Sequence, residues 1–311
     1  MELSDKIIAV GKMQQYIRAH LEEDITLEAL SRAGGYSKYH AARLFKELTG
    51  ETPFETIRAL RLTRAAQTLR DSDSGGRVVD VALNSGFDSH DGFTRAFSRQ
   101  FDIPPQRYSR ETPAVRYFTL YPIEAYYILK EGAETMSENT NAPKERVPRT
   151  MTVTAIERPA RKLILKRARK AAAADGYFVI CEELGCDWEG LMASIPEQLH
   201  GPAGLTLPIS LVTPGTTDAA VGTEVPLDYA KPIPEGFEAV ELPPCVMLYF
   251  RGAPFADEND FPLAIGTLWE LMEAYDPTLY GWEYAPELAP YCNFGADAKT
   301  GALMARPVRK R

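Results

Sequence analysis

The sequence predicts a multidomain chain, all-α in its N-terminal third and α+β in its C-terminal half, on three observations. Residues 6–110 place apolar side chains at helical spacing, interrupted by short glycine turns. One glycine-turn unit occurs there twice, about fifty residues apart. From Met151 onward the pattern changes to short strands alternating with helices. A chain of 311 residues, 45% hydrophobic and 25% charged, suits two globular domains.

Residues 6–21 set Ile7, Val10, Met13, Ile17 and Leu21 on one helical face. Thr26 opens a short helix that closes at Gly34 and Gly35; Ser37 is placed to cap the next, which ends at Gly50. In that second helix Leu44, Phe45 and Leu48 face a core, leaving Tyr39, Ala42, Arg43 and Lys46 outward. Pro53 starts a long helix that runs to about Arg70, roughly 27 Å at 1.5 Å per residue. A loop is expected at 71–76. The second unit begins at Val78, and its Ser85-Gly86-Phe87 turn precedes Phe93-Thr94-Arg95-Ala96-Phe97. Gly35 and Gly86 are 51 positions apart but Arg43 and Arg95 are 52, so the second turn holds one extra residue. A tight glycine turn between two short helices is a helix-turn-helix signal, in which the second helix lies in a major groove.

Gly35-Tyr36-Ser37-Lys38-Tyr39-His40 with Arg43-Leu44-Phe45-Lys46, the matching second unit and Pro104-Pro105-Gln106-Arg107-Tyr108 together resemble the AraC/XylS family. The resemblance covers about residues 6–110 and implies a double helix-turn-helix DNA-binding domain over residues 1–112. In that family both recognition helices enter adjacent major grooves of duplex DNA. By resemblance the DNA-facing residues are Ser37, Lys38, Tyr39, His40, Ala42, Arg43 and Lys46, then Ser89, His90, Asp91, Thr94, Arg95 and Arg99. Ala42 and Asp91 stand where relatives often carry a longer hydrogen-bonding side chain; an acid there accepts from a cytosine amino group but repels phosphates.

Residues 113–130 are strongly aromatic and fit either domain, and 131–150 are polar with Gly132, Pro143 and Pro148, so 113–150 is expected to connect and link the domains. Strands are expected at 153–156 and 162–165, then one helix over 177–194 with Phe178, Cys181, Leu184, Trp188, Leu191 and Met192 inside. A hairpin of 209–212 with 219–221 follows, then a strand at 245–250, a helix over 261–275 and strands at 291–294 and 303–308. This twofold plan suggests an α+β sandwich with a cleft between its halves. The order of elements, with 182–188, 225–229 and 232–237, resembles the GyrI-like effector-binding domains. That resemblance implies a duplicated β-α-β-β (SHS2-type) domain over residues 151–311, binding a small aromatic molecule, cationic or neutral. Relatives carry a carboxylate just before a Tyr of the penultimate strand; here Ala289 and Pro290 precede Tyr291.

Candidate ligand-binding residues are Trp188, Trp269, Tyr280, Trp282, Tyr284 and Tyr291 as aromatic walls, with Glu182, Glu183, Glu283 and Glu287 as anions. Between Asp175 and Asp297 only Lys231 and Arg251 are basic, a field that repels phosphates and concentrates cations. Residues 1–120 instead balance 17 Lys and Arg against 16 Asp and Glu, so a DNA-binding face must come from local clustering. Cys181, Cys186, Cys245 and Cys292 show no zinc spacing and read as buried free thiols. Cys181 and Cys186, five apart, do not share a face of a continuous helix, which argues against a disulfide between them.

No nucleophile motif, phosphate loop or metal constellation stands out, so neither catalysis, a cofactor nor a metal is expected. No apolar run spans a membrane and the start is not a signal peptide, which favours the cytoplasm. The reading is a transcriptional regulator with duplex DNA, an effector and RNA polymerase as partners. The competing readings are a constitutive DNA-binding protein whose acidic domain binds other proteins, and a hydrolase using Glu182, Glu183 or Glu283 with Tyr291.

Overall fold

The structure, a computed structural model, describes residues 3–71, 78–87, 89–127 and 147–311, without the side chain of Phe178. The chain divides into two compact units, residues 1–131 and 132–311. The loop expected at 71–76 and the linker expected at 131–150 fall largely outside the described residues.

Among the described residues the first unit holds the helices α1 (Leu3–Ala19), α2 (Leu27–Gly34), α3 (Lys38–Thr49), α4 (Pro53–Asp71), α5 (Val78–Asn84), α6 (His90–Phe101) and α7 (Pro105–Glu111), with residues 123–127 helical as well. The apolar stripe of α1 buries Val10, Met13 and Ile17 against Leu30 of α2, Leu44 and Phe45 of α3 and Ile57 of α4. The second half has an aromatic core, in which Phe93, Phe97 and Phe101 recur every fourth residue of α6 and meet in sequence, tilted at 5.5 Å and edge to face at 4.7 Å. Tyr108 of α7 packs on Phe97 at 5.6 Å.

Residues 113–127, which the sequence assigned to neither domain, pack within the first unit. Gln14, buried in α1, donates to the Tyr121 carbonyl at 3.2 Å and accepts from the Ile123 amide at 2.9 Å. Thr63 Oγ1 accepts from the Phe118 amide, the Tyr108 and Tyr117 hydroxyls meet at 2.8 Å, and Ile123 joins the first core. Extended backbone needs partners for its amides and carbonyls, and buried side chains of α1 and α4 supply them.

Both glycine turns are left-handed, with φ of 74° at Gly35 and 72° at Gly86. A Cβ on Gly86 would lie 2.7 Å from Arg61 Nη1, and Arg61 is anchored on the Leu21 and Glu23 carbonyls. Gly86→Ala is therefore expected to lose about 1–3 kcal/mol from the unfolding of the first unit, through backbone strain and this clash. Urea denaturation of the full chain checks it; an unchanged midpoint would show that Arg61 swings away freely.

The second unit is one continuous antiparallel sheet. Its strands are β1 (Met151–Arg158), β2 (Arg161–Arg167), β3 (Ala203–Thr206), β4 (Ala219–Pro226), β5 (Glu238–Leu242), β6 (Cys245–Gly252), β7 (Trp282–Tyr284), β8 (Tyr291–Asp297) and β9 (Gly301–Lys310). The spatial order is β1-β6-β9-β8-β3-β4-β2-β5, with β7 paired to β9. Helices α8 (Tyr177–Leu184), α9 (Trp188–Ala193) and α10 (Phe261–Glu273) complete the unit.

Several sequence-based expectations are corrected here. The sandwich is a single sheet, because β3 and β8 pair at Gly204–Asn293, Leu205–Cys292 and Thr206–Tyr291 and fuse the halves edge to edge. The helix expected over 177–194 breaks at Gly185, whose φ of 84° and ψ of 145° no helix accommodates. The hairpin partner of β4 is β3; Ile209–Leu211 is a 3-10 turn that begins after Pro208 and leaves Ile209 exposed. Strands β5 and β7 were not anticipated, since Glu238–Leu242 is mostly exposed and Trp282–Tyr284 is three residues long.

The doubling is fuller than expected. Each half runs strand, strand, helical segment, strand, strand, with β7 inserted as an extra short strand in the second, and each half's first strand pairs with the other's second: β1 with β6, and β5 with β2. Only Pro159 and Ala160 join β1 to β2, and only Pro243 and Pro244 join β5 to β6. Such short links force the two ends of the sheet to approach one another.

That junction holds a buried ionic cluster. The Glu224 carboxylate of β4 lies 2.7 Å from Arg161 Nε, 2.6 Å from Arg158 Nη2 and 3.4 Å from His200 Nε2. Arg161 is fully buried and donates from Nη1 to the Pro243 carbonyl at 3.0 Å and to the Pro159 carbonyl at 3.3 Å, so it grips both links.

Candidate functional site

The sequence shapes α3 and α6 as two similar blades. In the first unit one residue separates the turn glycine Gly35 from the N-cap Ser37; in the second, two separate Gly86 from Ser89. Arg43 and Arg95 each lie six positions beyond their N-cap, so the extra residue is absorbed before the helix and the outward faces match. Ser89 Oγ accepts from the Gly92 amide at 3.1 Å, whereas Ser37 occupies the N-cap position without a side-chain cap bond.

With Leu44 and Phe45 buried, α3 exposes Tyr39 at 79%, together with Lys38, Arg43 and Lys46. Ala42 is half-buried. His40 packs its ring on Tyr36 at 4.9 Å, with Arg43 Nη2 3.4 Å from its Nδ1. Lys38 is tied to Glu28 of α2 at 2.9 Å, and that contact holds the Glu28 carboxyl below its ordinary range. On α6 the aromatic core face leaves Asp91, Arg95 and Arg99 in an exposed row at i, i+4 and i+8. His90 lies 3.6 Å from Asp91. Thr94, half-buried, has its Oγ1 shielded from solvent in the free protein. Among the described residues, Arg43, Lys46, Arg95 and Arg99 pair with no carboxylate, so four exposed cations remain available for phosphates and base edges.

The residues proposed from sequence as a ligand pocket scatter. Trp188 is 3% exposed, a core residue of α9, and Glu182 lies exposed on α8. Glu183 accepts from the Arg169, Lys170 and Ala171 amides, a structural cap. Glu283 and Glu287 both pair with Arg309, at 2.5 and 2.6 Å. Tyr280 stacks on Tyr275 at 5.5 Å, and Trp282 packs on the α10 core. A cavity of about 700 Å³ lies apart from all the aromatic candidates, bordered by Lys166, Arg167, Arg169, Leu184, Pro214 and Phe237.

Trp269 and Tyr291 do come together, edge to face at 5.5 Å. Tyr284, also expected to line a pocket, joins them, and the sequence reading missed their common neighbour, Arg306. The Arg306 guanidinium sits 5.0 Å from the Tyr291 ring, 5.4 Å from Tyr284 and 5.6 Å from Trp269, and pairs with Glu273. The aromatic box thus holds a cation of the chain itself. Its signal was legible: in β9, Ala302, Met304, Arg306 and Val308 share one face, and an arginine in an apolar row needs a reason. Burial raises the Tyr291 phenol above its ordinary value despite nearby Arg306, and its hydroxyl meets Met304 Sδ at 3.0 Å.

Two glycine-turn units joined by α4, each with an exposed basic second helix, define the class of paired helix-turn-helix DNA-binding proteins. Residues 30–111 match the family model described as a helix-turn-helix domain. The multiple antibiotic resistance protein MarA of Escherichia coli (strain K12) is 33% identical over 119 residues, which are 38% of this chain and 92% of MarA. The right origin-binding protein of the same organism is 35% identical over 133 residues, 43% of each chain. A crystal structure of a probable AraC family transcriptional regulator from Rhodopseudomonas palustris CGA009 is similar at 27% identity and a TM-score of 0.32, covering 33% of this chain and 95% of that one. The chain belongs to the AraC family of DNA-binding transcriptional regulators. Among the described residues no helix is long and apolar enough to cross a membrane, and no group of three or more His, Cys, Asp and Glu is placed to hold a metal ion.

Proposed function

We propose that this regulator reads duplex DNA with α3 and α6 in successive major grooves, and that its second unit, of the GyrI-like kind, senses a small aromatic molecule. The observation that carries the DNA reading is the matched placement of Arg43 and Arg95, six residues past each N-cap, where among the described residues neither they nor Lys46 and Arg99 pair with a carboxylate. Arg43 and Arg95 read bases, Tyr39 and Lys46 contact the backbone, and Asp91 favours a cytosine-containing site. The DNA-binding unit extends through the packed segment 113–127. Gel-shift titration of the full chain against fragments of its own promoter region, at stepped salt, tests this. Affinity should fall steeply with salt at one preferred site, and salt-insensitive or site-blind binding would sink the reading.

The effector reading rests on the Trp269, Tyr284 and Tyr291 box, and Arg306 narrows its chemistry. A second cation about 5 Å from the guanidinium would meet roughly 3 kcal/mol of repulsion at an effective dielectric of about 20. The surrounding acidic field disfavours anions, so a neutral aromatic ligand fits best, and RNA polymerase remains the partner to which its binding is relayed. Tryptophan fluorescence titration with neutral indole should show saturable quenching that Trp269→Ala removes, while benzyltrimethylammonium gives none. Equal responses to both probes would refute the role given to Arg306.

A further inference from the structure

The cations of the second unit collect along β2. Between Arg158 and Lys170 the chain carries seven Lys and Arg and no Asp or Glu, ahead of the acidic stretch that starts at Asp175. Arg158 and Arg161 meet Glu224, and Lys162 donates to the Tyr229 carbonyl at 3.0 Å. Lys166, Arg167 and Arg169 instead border the cavity of about 700 Å³. A space of that size suits a small organic ligand.

Strand lengths open this cavity. β2 pairs with β5 only as far as Leu165–Glu238, so Lys166 and Arg167 run on past the start of β5. Just ahead of β5 the chain turns at Gly236, whose φ of 81° is left-handed, and Phe237 becomes one wall. The loop 213–216 forms another, closed by Thr216 Oγ1, which donates to the Thr213 carbonyl at 2.8 Å and accepts from its amide at 3.1 Å. Leu184, at the end of α8, lines the same space, and its carbonyl accepts from Lys166 Nζ at 2.7 Å.

The lining sets three cations against two carboxylates, and both carboxylates are engaged. Glu238 pairs with Arg167, whose Nη1 also donates to the Leu211 carbonyl. Glu183 accepts from the Arg169 and Ala171 amides at 2.7 and 2.8 Å. Lys166 meets a neutral carbonyl, and the Arg169 side chain is exposed and contacts no carboxylate among the described residues. We infer that this cavity binds a small organic carboxylate, with Arg169 and Lys166 taking the head group and Leu165, Leu184, Pro214 and Phe237 taking an apolar body. A guanidinium offers a carboxylate two parallel N–H donors, and the ammonium keeps protons beyond the one given to Leu184. The apolar walls favour a ligand with hydrocarbon to bury over a bare anion. The site shares no residue with the box of Trp269, Tyr284, Tyr291 and Arg306, and β3 and β4 lie between β2 and β8.

Isothermal titration calorimetry of the full chain with hydrocinnamate, hydrocinnamamide and inorganic phosphate tests the assignment. Hydrocinnamate should bind saturably at one site. The amide has the same body without the charge, and phosphate has charge without the body, so each should bind about tenfold or more weakly. Arg169→Gln should weaken hydrocinnamate about tenfold; its side chain holds no other element in place, so the loss reports the site and not the fold. Trp269→Ala should leave hydrocinnamate affinity unchanged, which separates this cavity from the aromatic box. Absence of saturable hydrocinnamate binding, equal affinity for either comparison probe, or an affinity that survives Arg169→Gln would overturn the proposal.

Discussion

Glu224→Gln should cost the second unit about 3–5 kcal/mol, the scale for removing one partner of a buried ionic network. The substitution preserves shape but leaves Arg158 and Arg161 facing each other without the carboxylate that both contact, at 2.6 and 2.7 Å. Arg161 grips both two-residue links through the Pro159 and Pro243 carbonyls, so the loss falls where the halves exchange their first strands. Burial by itself would raise the Glu224 pKa, but hydrogen bonds and charge from His200 and Arg161 outweigh it and hold the carboxyl well below the usual range. A depressed folded pKa adds stability that is fully present above the unfolded value of about 4.3 and is lost as pH falls below it. Urea unfolding from pH 7 to pH 3 should therefore show a steep acid loss in the natural protein and a shallower one in Glu224→Gln. A penalty under about 1 kcal/mol would mean that water replaces the carboxylate without strain.

Removing Arg43 and Arg95 together should weaken binding at the preferred site by about 2–6 kcal/mol, as two base contacts of about 1–3 kcal/mol each. Singly, each change should relax discrimination over its own half of the site. Lys46→Ala should instead weaken all sequences alike and reduce the salt slope by about one phosphate contact. Competition gel shifts with base-substituted sites separate these outcomes. Equal loss at specific and non-specific DNA for Arg43→Ala would move that residue from base reading to phosphate contact.

The helical half was legible in detail because its contacts are local. Leucines and phenylalanines every third or fourth residue state which face is buried, and a glycine at the required left-handed position states where the chain turns. The one-residue offset between the turns could even be counted from the positions of Gly35, Gly86, Arg43 and Arg95 before any coordinates. What the local pattern could not say is where an unpatterned segment goes. Residues 113–127 lie within the first unit because Gln14 and Thr63, distant in sequence, present the bonds that their backbone needs.

The sequence by itself determined membership of the N-terminal unit in a DNA-binding family and, in the second half, the strands with strong alternation and the doubling of the plan. Tertiary structure alone decided the rest, since strand pairing joins residues far apart and one turn changes what a spacing means. Glu224 gave no sign in sequence that it would neutralise Arg158, Arg161 and His200 together, because these meet only after the first strands are exchanged. Trp188 and Trp269 looked alike as aromatic helix residues, yet one fills a core and the other boxes Arg306. Cys181 and Cys186 were judged apart on the assumption of one unbroken helix. The positive φ of Gly185 ends that helix between them, since the actual path of the backbone, and not the period assigned to it, decides where side chains point.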